Sequence, residues 1–414
     1  MRFAFLHAAD LHIDSPLAGL CGKNDAVAAR FAEAGRRAVA ALIDEAIAAQ
    51  AAFLAISGDI FDGDWRDVST GLFFVRELAR LERENIPVYL VRGNHDFDSP
   101  LAKSLPYPAN VRVFASRQAQ SFEIDRLRVA LHGRSFNARL VDGGFVASYP
   151  PRREGWFNVG LLHTALDGSR GHASYAPCSV EDLKRFGYDY WALGHVHAAE
   201  RVCADPHIVY PGNLQGRSVR EDGPKGAMRV VVSDGRVESI QHVALDVARW
   251  VDARLDISRC EDEADALTAI ESRLRQEHAK AEGRALALRL TLEGATPAHE
   301  RLVARRESLE ADARAIACRF GEDFWVERLK IETRAPQARE AALATADALD
   351  VEALIGEAAD ADFAFATAAL IDEVAAELPP ALRDEFRREA NAAALAVEAR
   401  DLLLGEIALR TGGA

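Results

Sequence analysis

The sequence predicts an α/β protein with an at least partly parallel sheet, and three observations predict it. Short apolar runs alternate with helix-patterned stretches along the first hundred residues, as βαβ units require. Five apolar runs stop at a Gly or a polar loop carrying Asp, Asn or His, where open α/β sheets keep their ligands. Near 245–250 the order of strands and helices changes, so a second, smaller unit follows.

Residues 2–6 alternate and then turn apolar, forming a strand that delivers Asp10 and His12 to the loop beyond it. Val27, Phe31, Val39, Leu42, Ile43 and Ile47 recur near helical spacing in an Ala-rich stretch, giving a helix over 26–50. Ala52-Phe53-Leu54-Ala55-Ile56 is the next buried strand and ends at Ser57-Gly58-Asp59-Ile60-Phe61-Asp62. A helix over 69–83 leads to a strand at 86–91 that runs into Gly93-Asn94-His95-Asp96. Short strands follow at 111–114, 121–124, 128–132 and 156–162, the last ending at His163. Ser179, with Asp182 three residues on, caps a helix over 179–186. The strand at 188–193 ends in Gly194-His195-Val196-His197. Strands at 207–210, 227–233 and 236–243 close the domain, the last two joined at Ser233-Asp234-Gly235.

This first domain spans 1–245. A strand at 249–257, a helix at 261–281, a strand at 284–293, a helix or helix pair at 297–319 and a strand at 324–333 make a small α+β domain over 250–335. After Pro336 an Ala- and Glu-rich stretch with Leu, Ile and Phe at helical spacing, broken at Pro379-Pro380, reads as a helical tail over 336–414.

Composition bounds the setting. The five cysteines (Cys21, Cys178, Cys203, Cys260 and Cys318) form no CxxC pair, which suggests a reducing compartment and no disulfide framework or thiolate zinc cage. The first residues do not read as a signal peptide and no apolar stretch is long enough to cross a bilayer, so a cytoplasmic protein is expected. The net charge of −14 is unevenly spread. Residues 1–250 hold 29 Lys+Arg against 30 Asp+Glu, and residues 251–414 hold 21 against 34. The near-neutral first part leaves a nucleic-acid substrate open, although no basic stripe advertises one.

The strand-end donors are Asp10, His12, Asp59, Asn94, His163, His195 and His197, with His95 beside them. All are oxygen or nitrogen donors, a set that suits Mn²⁺, Fe²⁺, Zn²⁺ or Mg²⁺. Seven donors exceed the need of one tetrahedral ion but serve two octahedral ions sharing a bridge, which Asp59 is placed to supply. Two ions about 3.5–4 Å apart clamp the attacking and leaving oxygens of an in-line phosphoryl displacement. His95 offers an imidazole as proton donor, and Asp96 a carboxylate to orient it.

Asp10-Leu11-His12, Gly58-Asp59-Ile60-Phe61-Asp62, Gly93-Asn94-His95-Asp96, His163 and Gly194-His195-Val196-His197, in that order, resemble the calcineurin-like metallophosphoesterases. The resemblance implies a four-layer αββα sandwich. One metal would sit on Asp10, His12, Asp59 and His197, and the other on Asp59, Asn94, His163 and His195. His95 would lie near the leaving oxygen with Asp96 behind it, and Asp62 would orient a ligand. A Tyr three residues after the bridging Asp marks the purple acid phosphatases; Asp62 stands there instead.

The stretches 5–12, 132–136 and 210–217 are similar to the DNA-repair exonucleases, in particular the SbcD group and its YhaO-like branch. That likeness implies a DNA substrate with Mn²⁺ as the metal, a capping domain at 250–335, and a tail that binds an SbcC-like coiled-coil ATPase. Related nucleases often dimerise. Arg134, Asn213 and Arg217 lie in the subfamily-like loops as candidate phosphate contacts. A small-molecule phosphodiesterase or phosphomonoesterase, and a catalytically silent scaffold, are the alternatives. The intact donor set counts against the scaffold.

Overall fold

The computed structural model describes residues 1–15, 33–62, 67–97, 105–138, 144–166, 176–336 and 362–377, with Arg383, Phe386, Leu395 and Ala399. The chain divides into two compact units, the first of residues 1–251 with 283–287 and the second of 252–282 and 288 onward.

The first unit contains two six-stranded sheets. One is built from β1 (Arg2–Ala8), β2 (Leu54–Ser57), β3 (Val88–Val91), β4 (Val111–Val113), β11 (Gly226–Ser233) and β12 (Arg236–Ala244), in the order β12-β11-β1-β2-β3-β4. The other is built from β5 (Gln120–Ile124), β6 (Val129–Gly133), β7 (Phe157–His163), β8 (Tyr190–Gly194), β9 (Glu200–Ala204) and β10 (His207–Tyr210), in the order β5-β6-β7-β8-β10-β9. Strands β1 to β4 pair in parallel, as do β6 to β8, so their carboxyl ends share one edge of each sheet.

The apolar runs are continuous because both faces of each sheet are covered. Between the sheets, Phe5, Phe53, Ala55 and Tyr89 meet Leu131, Val159, Leu161, Tyr190 and Val209. The opposite face of the first sheet, with Leu6, Leu54, Ile56 and Leu90, carries α1 (Ala34–Ala48) and α2 (Val68–Arg83) through Val39, Leu42, Ile43, Phe74, Leu78 and Leu81. The outer face of the second sheet, with Trp191, Leu193 and Ile208, packs against Phe145, Val146, Tyr149 and Leu183. These come from the region of α4 (Gly144–Ala147) and from α5 (Val180–Arg185), which follow the single turn α3 (Asn94–Phe97). The result is the four-layer αββα sandwich.

Local chemistry matches the sequence reading in detail. Ser179 and Asp182 close a reciprocal cap, with Oγ accepting from the Asp182 amide at 3.1 Å and the Asp182 carboxylate accepting from the Ser179 amide at 2.9 Å. Asp234 and Gly235 both have positive φ, 50° and 76°, as a two-residue turn between β11 and β12 requires. The strand β9 is unforeseen. It pairs only with β10, at the sheet edge, and its partial exposure leaves no apolar run to read. Residues 26–32 of the expected first helix lie outside the described residues.

A three-stranded sheet of β13 (Ala248–Asp256), β14 (Ala285–Ala295) and β15 (Phe324–Arg334) has most of its residues in the second unit. Helix α6 (Glu263–Lys280) buries Ala266, Ile270 and Leu274, while α7 (His299–Ala304) and α8 (Arg306–Cys318) realise the expected helix pair. Helix α8 packs on β15 and on α6. Of the expected tail, α9 (Asp362–Glu377) is a helix, and most of the remainder lies outside the described residues. Among the described residues no helix is long and apolar enough to cross a membrane.

Candidate metal centre

The loops after β1 and β2 run side by side. The amides of Asp10, His12 and Ile13 donate to the carbonyls of Gly58, Asp59 and Ile60 at 3.0, 3.1 and 2.9 Å. Asp10, His12, Asp59 and His195 all hold positive φ, at 52°, 40°, 51° and 101°, a conformation that costs non-glycine residues energy. Such strain persists where the surroundings over-determine it, and here it turns four donors toward one point. Gly194 admits the approach of the two sheets, since a Cβ there would strike the Ser57 carbonyl oxygen.

Three triads of donors result, each with ligand atoms within 4.8 Å of one another; one of them, His12, Asp62 and His95, shares His12 with the first of the two deeper ones. The first is Asp10, His12 and His197. The His12 Nδ1–H donates to Asp62 Oδ1 at 2.6 Å, which leaves Nε2 as the lone-pair nitrogen; it is buried and has no hydrogen-bond partner. His197 lies with Nε2 3.8 Å from Asp10 Oδ1 and Nδ1 2.7 Å from Glu221 Oε1. The second triad is Asp59, His163 and His195. The His163 Nδ1–H donates to the Ser57 carbonyl at 2.9 Å, so Nε2 again faces inward. It lies 3.0 Å from Asn94 Oδ1, 3.2 Å from Asp59 Oδ2 and 3.3 Å from His195 Nδ1.

The electrostatics ask for a cation. Burial raises the Asp10 carboxyl, and the neighbouring charge of Asp59 adds to it. Burial also opposes charge on Asp59, yet His163 holds that carboxyl far below its ordinary range. For His163 burial acts downward, but Asp59 overcomes it and lifts the ring to about 9. Two carboxylates and several inward nitrogens in a dry pocket favour positive charge, which a divalent ion supplies without a proton. An all-oxygen-and-nitrogen set with an orphaned buried Nε2 fits such an ion.

His95 stands at the solvent edge with its side chain 40% exposed. Its amide donates to Asp59 Oδ1 at 3.0 Å, and its ring packs edge-on against His12 at 5.2 Å. Burial is the main influence lowering its pKa, and the carboxylates of Asp59 and Asp62 act upward against it.

The expectation that Asp96 backs His95 is corrected. Asp96 is fully buried; one oxygen accepts from the amides of Ile60 and Phe61 at 2.9 and 3.0 Å, and the other from Gly93 at 3.0 Å. It clamps the Asp59 loop to the Asn94 loop. The carboxylate beside the His95 ring is Asp62, 3.6 Å away. The single turn of α3 carries the adjacent residue to the opposite side.

The three candidate phosphate contacts part company. Asn213 is wholly buried and donates to Gln215 O and Glu221 Oε2 at 2.8 and 2.9 Å, so it is corrected to a buried support. Arg134 is held by Ser116 O at 3.2 Å, Ser148 Oγ at 3.0 Å and the face of Phe145, none of them metal donors. Only Arg217 borders the donors, 3.0 Å from Glu221 and 3.7 Å from Asp62. Sequence reasoning missed Glu221, and also Lys225, whose Nζ donates to the His197 carbonyl at 2.9 Å. No periodicity or motif marks either.

Residues 3–199 match the calcineurin-like phosphoesterase family, and residues 250–334 match the middle domain of metallophosphoesterase YhaO. The chain is 34% identical over 300 residues to an uncharacterised metallophosphoesterase YhaO of Bacillus subtilis (strain 168), covering 71% of this chain and 72% of that one. It is 26% identical over 236 residues to the DNA double-strand break repair protein Mre11 of Methanopyrus kandleri, covering 51% of this chain and 48% of the relative. The Mre11 of Sulfurisphaera tokodaii is 23% identical over 279 residues, with 62% and 67% covered.

Proposed function

The chain belongs to the calcineurin-like metallophosphoesterase family, and we propose that it is a DNA phosphodiesterase that works with two divalent ions, Mn²⁺ foremost. The observation that carries this reading is the pair of deeper donor triads with a half-exposed His95 at their rim. The DNA substrate is supported by relatives named for double-strand break repair.

Asp10, His12 and His197 would hold one ion, and Asn94, His163 and His195 the other, with Asp59 between them. Bound there, the ions supply Lewis-acid charge to the phosphoryl group and activate water. Asp62 keeps His12 in one tautomer, Ser57 does the same for His163, and Asp96 fixes the spacing of two donor loops. His95, reaching from the dry interior to solvent, would in its imidazolium form present a ring N–H to the departing 3′ oxygen, pass it that proton and be left as the neutral imidazole. The Arg217 guanidinium flanks the same rim. In the tail, Leu370 and Val374 project one turn apart from α9 at 59% and 41% exposure, an apolar stripe suited to a coiled-coil ATPase of the SbcC kind.

The test is cleavage of end-labelled single- and double-stranded DNA with Mn²⁺, Mg²⁺ or EDTA, beside bis-nitrophenyl phosphate. Cleavage that needs the metal and falls roughly 10²–10⁴-fold in His95→Asn, with metal content unchanged, is the expected result. Hydrolysis of the small diester with DNA untouched would overturn the DNA substrate and favour a small-molecule phosphodiesterase. Full activity in His95→Asn would remove the role given to that ring.

A further inference from the structure

Among the described residues beside the donors, Glu221 is a largely covered carboxylate whose role no motif announces. It closes the short turn Val219–Glu221, 24 residues beyond His197. Its carboxylate is surrounded by donors. Oε1 accepts from His197 Nδ1 at 2.7 Å and Arg217 Nη2 at 3.0 Å, and Oε2 from Asn213 Nδ2 at 2.9 Å and the Arg217 amide at 2.8 Å. Four donors on two oxygens leave its orientation no freedom.

On the other side of Arg217, Nη1 lies 3.7 Å from Asp62 Oδ1, and that oxygen takes the His12 Nδ1–H. One guanidinium therefore stands between two carboxylates, each gripping the outer nitrogen of one histidine of the first triad. The second triad has no such bracket at His163, whose outer nitrogen is fixed by the Ser57 backbone carbonyl.

The geometry points to Glu221 as the positioning residue of the first metal position: held by Arg217 and Asn213, it fixes His197 with Nε2 toward Asp10. A carboxylate that accepts a ligand histidine's N–H sets the ring's tautomer and rotation and raises its basicity. This assignment rests on the two-ion reading above. It moves Arg217 from substrate contact to brace, because both arms of its guanidinium are engaged by carboxylates.

Glu221→Gln tests it, because the isosteric amide keeps the packing while its NH₂ must face two donors in either orientation. Mn²⁺ uptake is followed by equilibrium dialysis and electron paramagnetic resonance. The wild-type chain should take up two ions and, when full, show the signal of an exchange-coupled pair. Glu221→Gln should keep one ion at wild-type affinity with an uncoupled six-line spectrum, and bind the other roughly 10- to 100-fold more weakly. Glu221→Asp, which retains the charge, should recover part of the loss; it also serves if the amide variant misfolds by circular dichroism. Two ions and a coupled spectrum in Glu221→Gln at wild-type concentrations would overturn the assignment alone. A wild-type chain that never binds a second ion would overturn the two-ion reading and this assignment with it.

Discussion

The two deeper donor triads are built on different principles. In the first, His12 and His197 are steered by side chains, Asp62 and Glu221, which share Arg217 at a partly open rim. In the second, His163 is steered by a backbone carbonyl inside the sandwich, and Asp59, His163 and His195 are all buried. Backbone is as rigid as the sheets that carry it. Side-chain supports can be removed one at a time. One position is thus coupled to the stability of the fold and the other to a replaceable network.

The comparison can be broken first at Gly58. Its φ is +90°, and an added Cβ would lie 2.6 Å from His163 Nδ1. Gly58→Ala should cost about 1–3 kcal/mol for the backbone and a similar amount for overpacking. Urea unfolding should show that loss together with weaker binding of one ion; a variant as stable as wild type would mean that the interior gives way easily. At the open rim, Asp62→Asn should leave unfolding nearly unchanged and weaken one ion roughly 10- to 100-fold by dialysis. A large loss of stability there instead would erase the distinction.

The smallest effect concerns His7, which also donates to a backbone carbonyl, Leu193 O at 3.0 Å, and accepts from Tyr190 Oη at 3.0 Å. Lacking a carboxylate neighbour, it is lowered by burial to about 3, where His163 beside Asp59 rises to about 9. A ring whose folded pKa lies below its unfolded value of about 6.5 gives its full stability above that pH and loses it as pH falls toward 3. Between pH 7 and 5 the wild type should lose about 2 kcal/mol more than His7→Gln in paired urea titrations. Parallel pH curves would show that the ring is not held neutral.

Much of the site was legible because each donor follows a strand buried on both faces, and such strands announce themselves as unbroken apolar runs. Asn94 and His95 after Val88–Val91, and His195 after Tyr190–Gly194, are of this kind. Asp96 was misplaced because adjacency in sequence says nothing about side, and one helical turn sends its carboxylate to the amides of Ile60 and Phe61. Glu221 was invisible because it meets His197 only through space. Asn213 lies in a motif-like loop, yet its side chain turns into the interior to hold Glu221.

The left-handed backbone at Asp10, His12, Asp59 and His195 carries a consequence for how such a sequence survives mutation. Glycine would relieve roughly 1–2 kcal/mol at each of these positions while deleting a donor. Selection for thermal endurance alone would therefore erode the metal site before it touched the core. The four residues persist only while some benefit of the chemistry outweighs the sturdier protein that glycine would make.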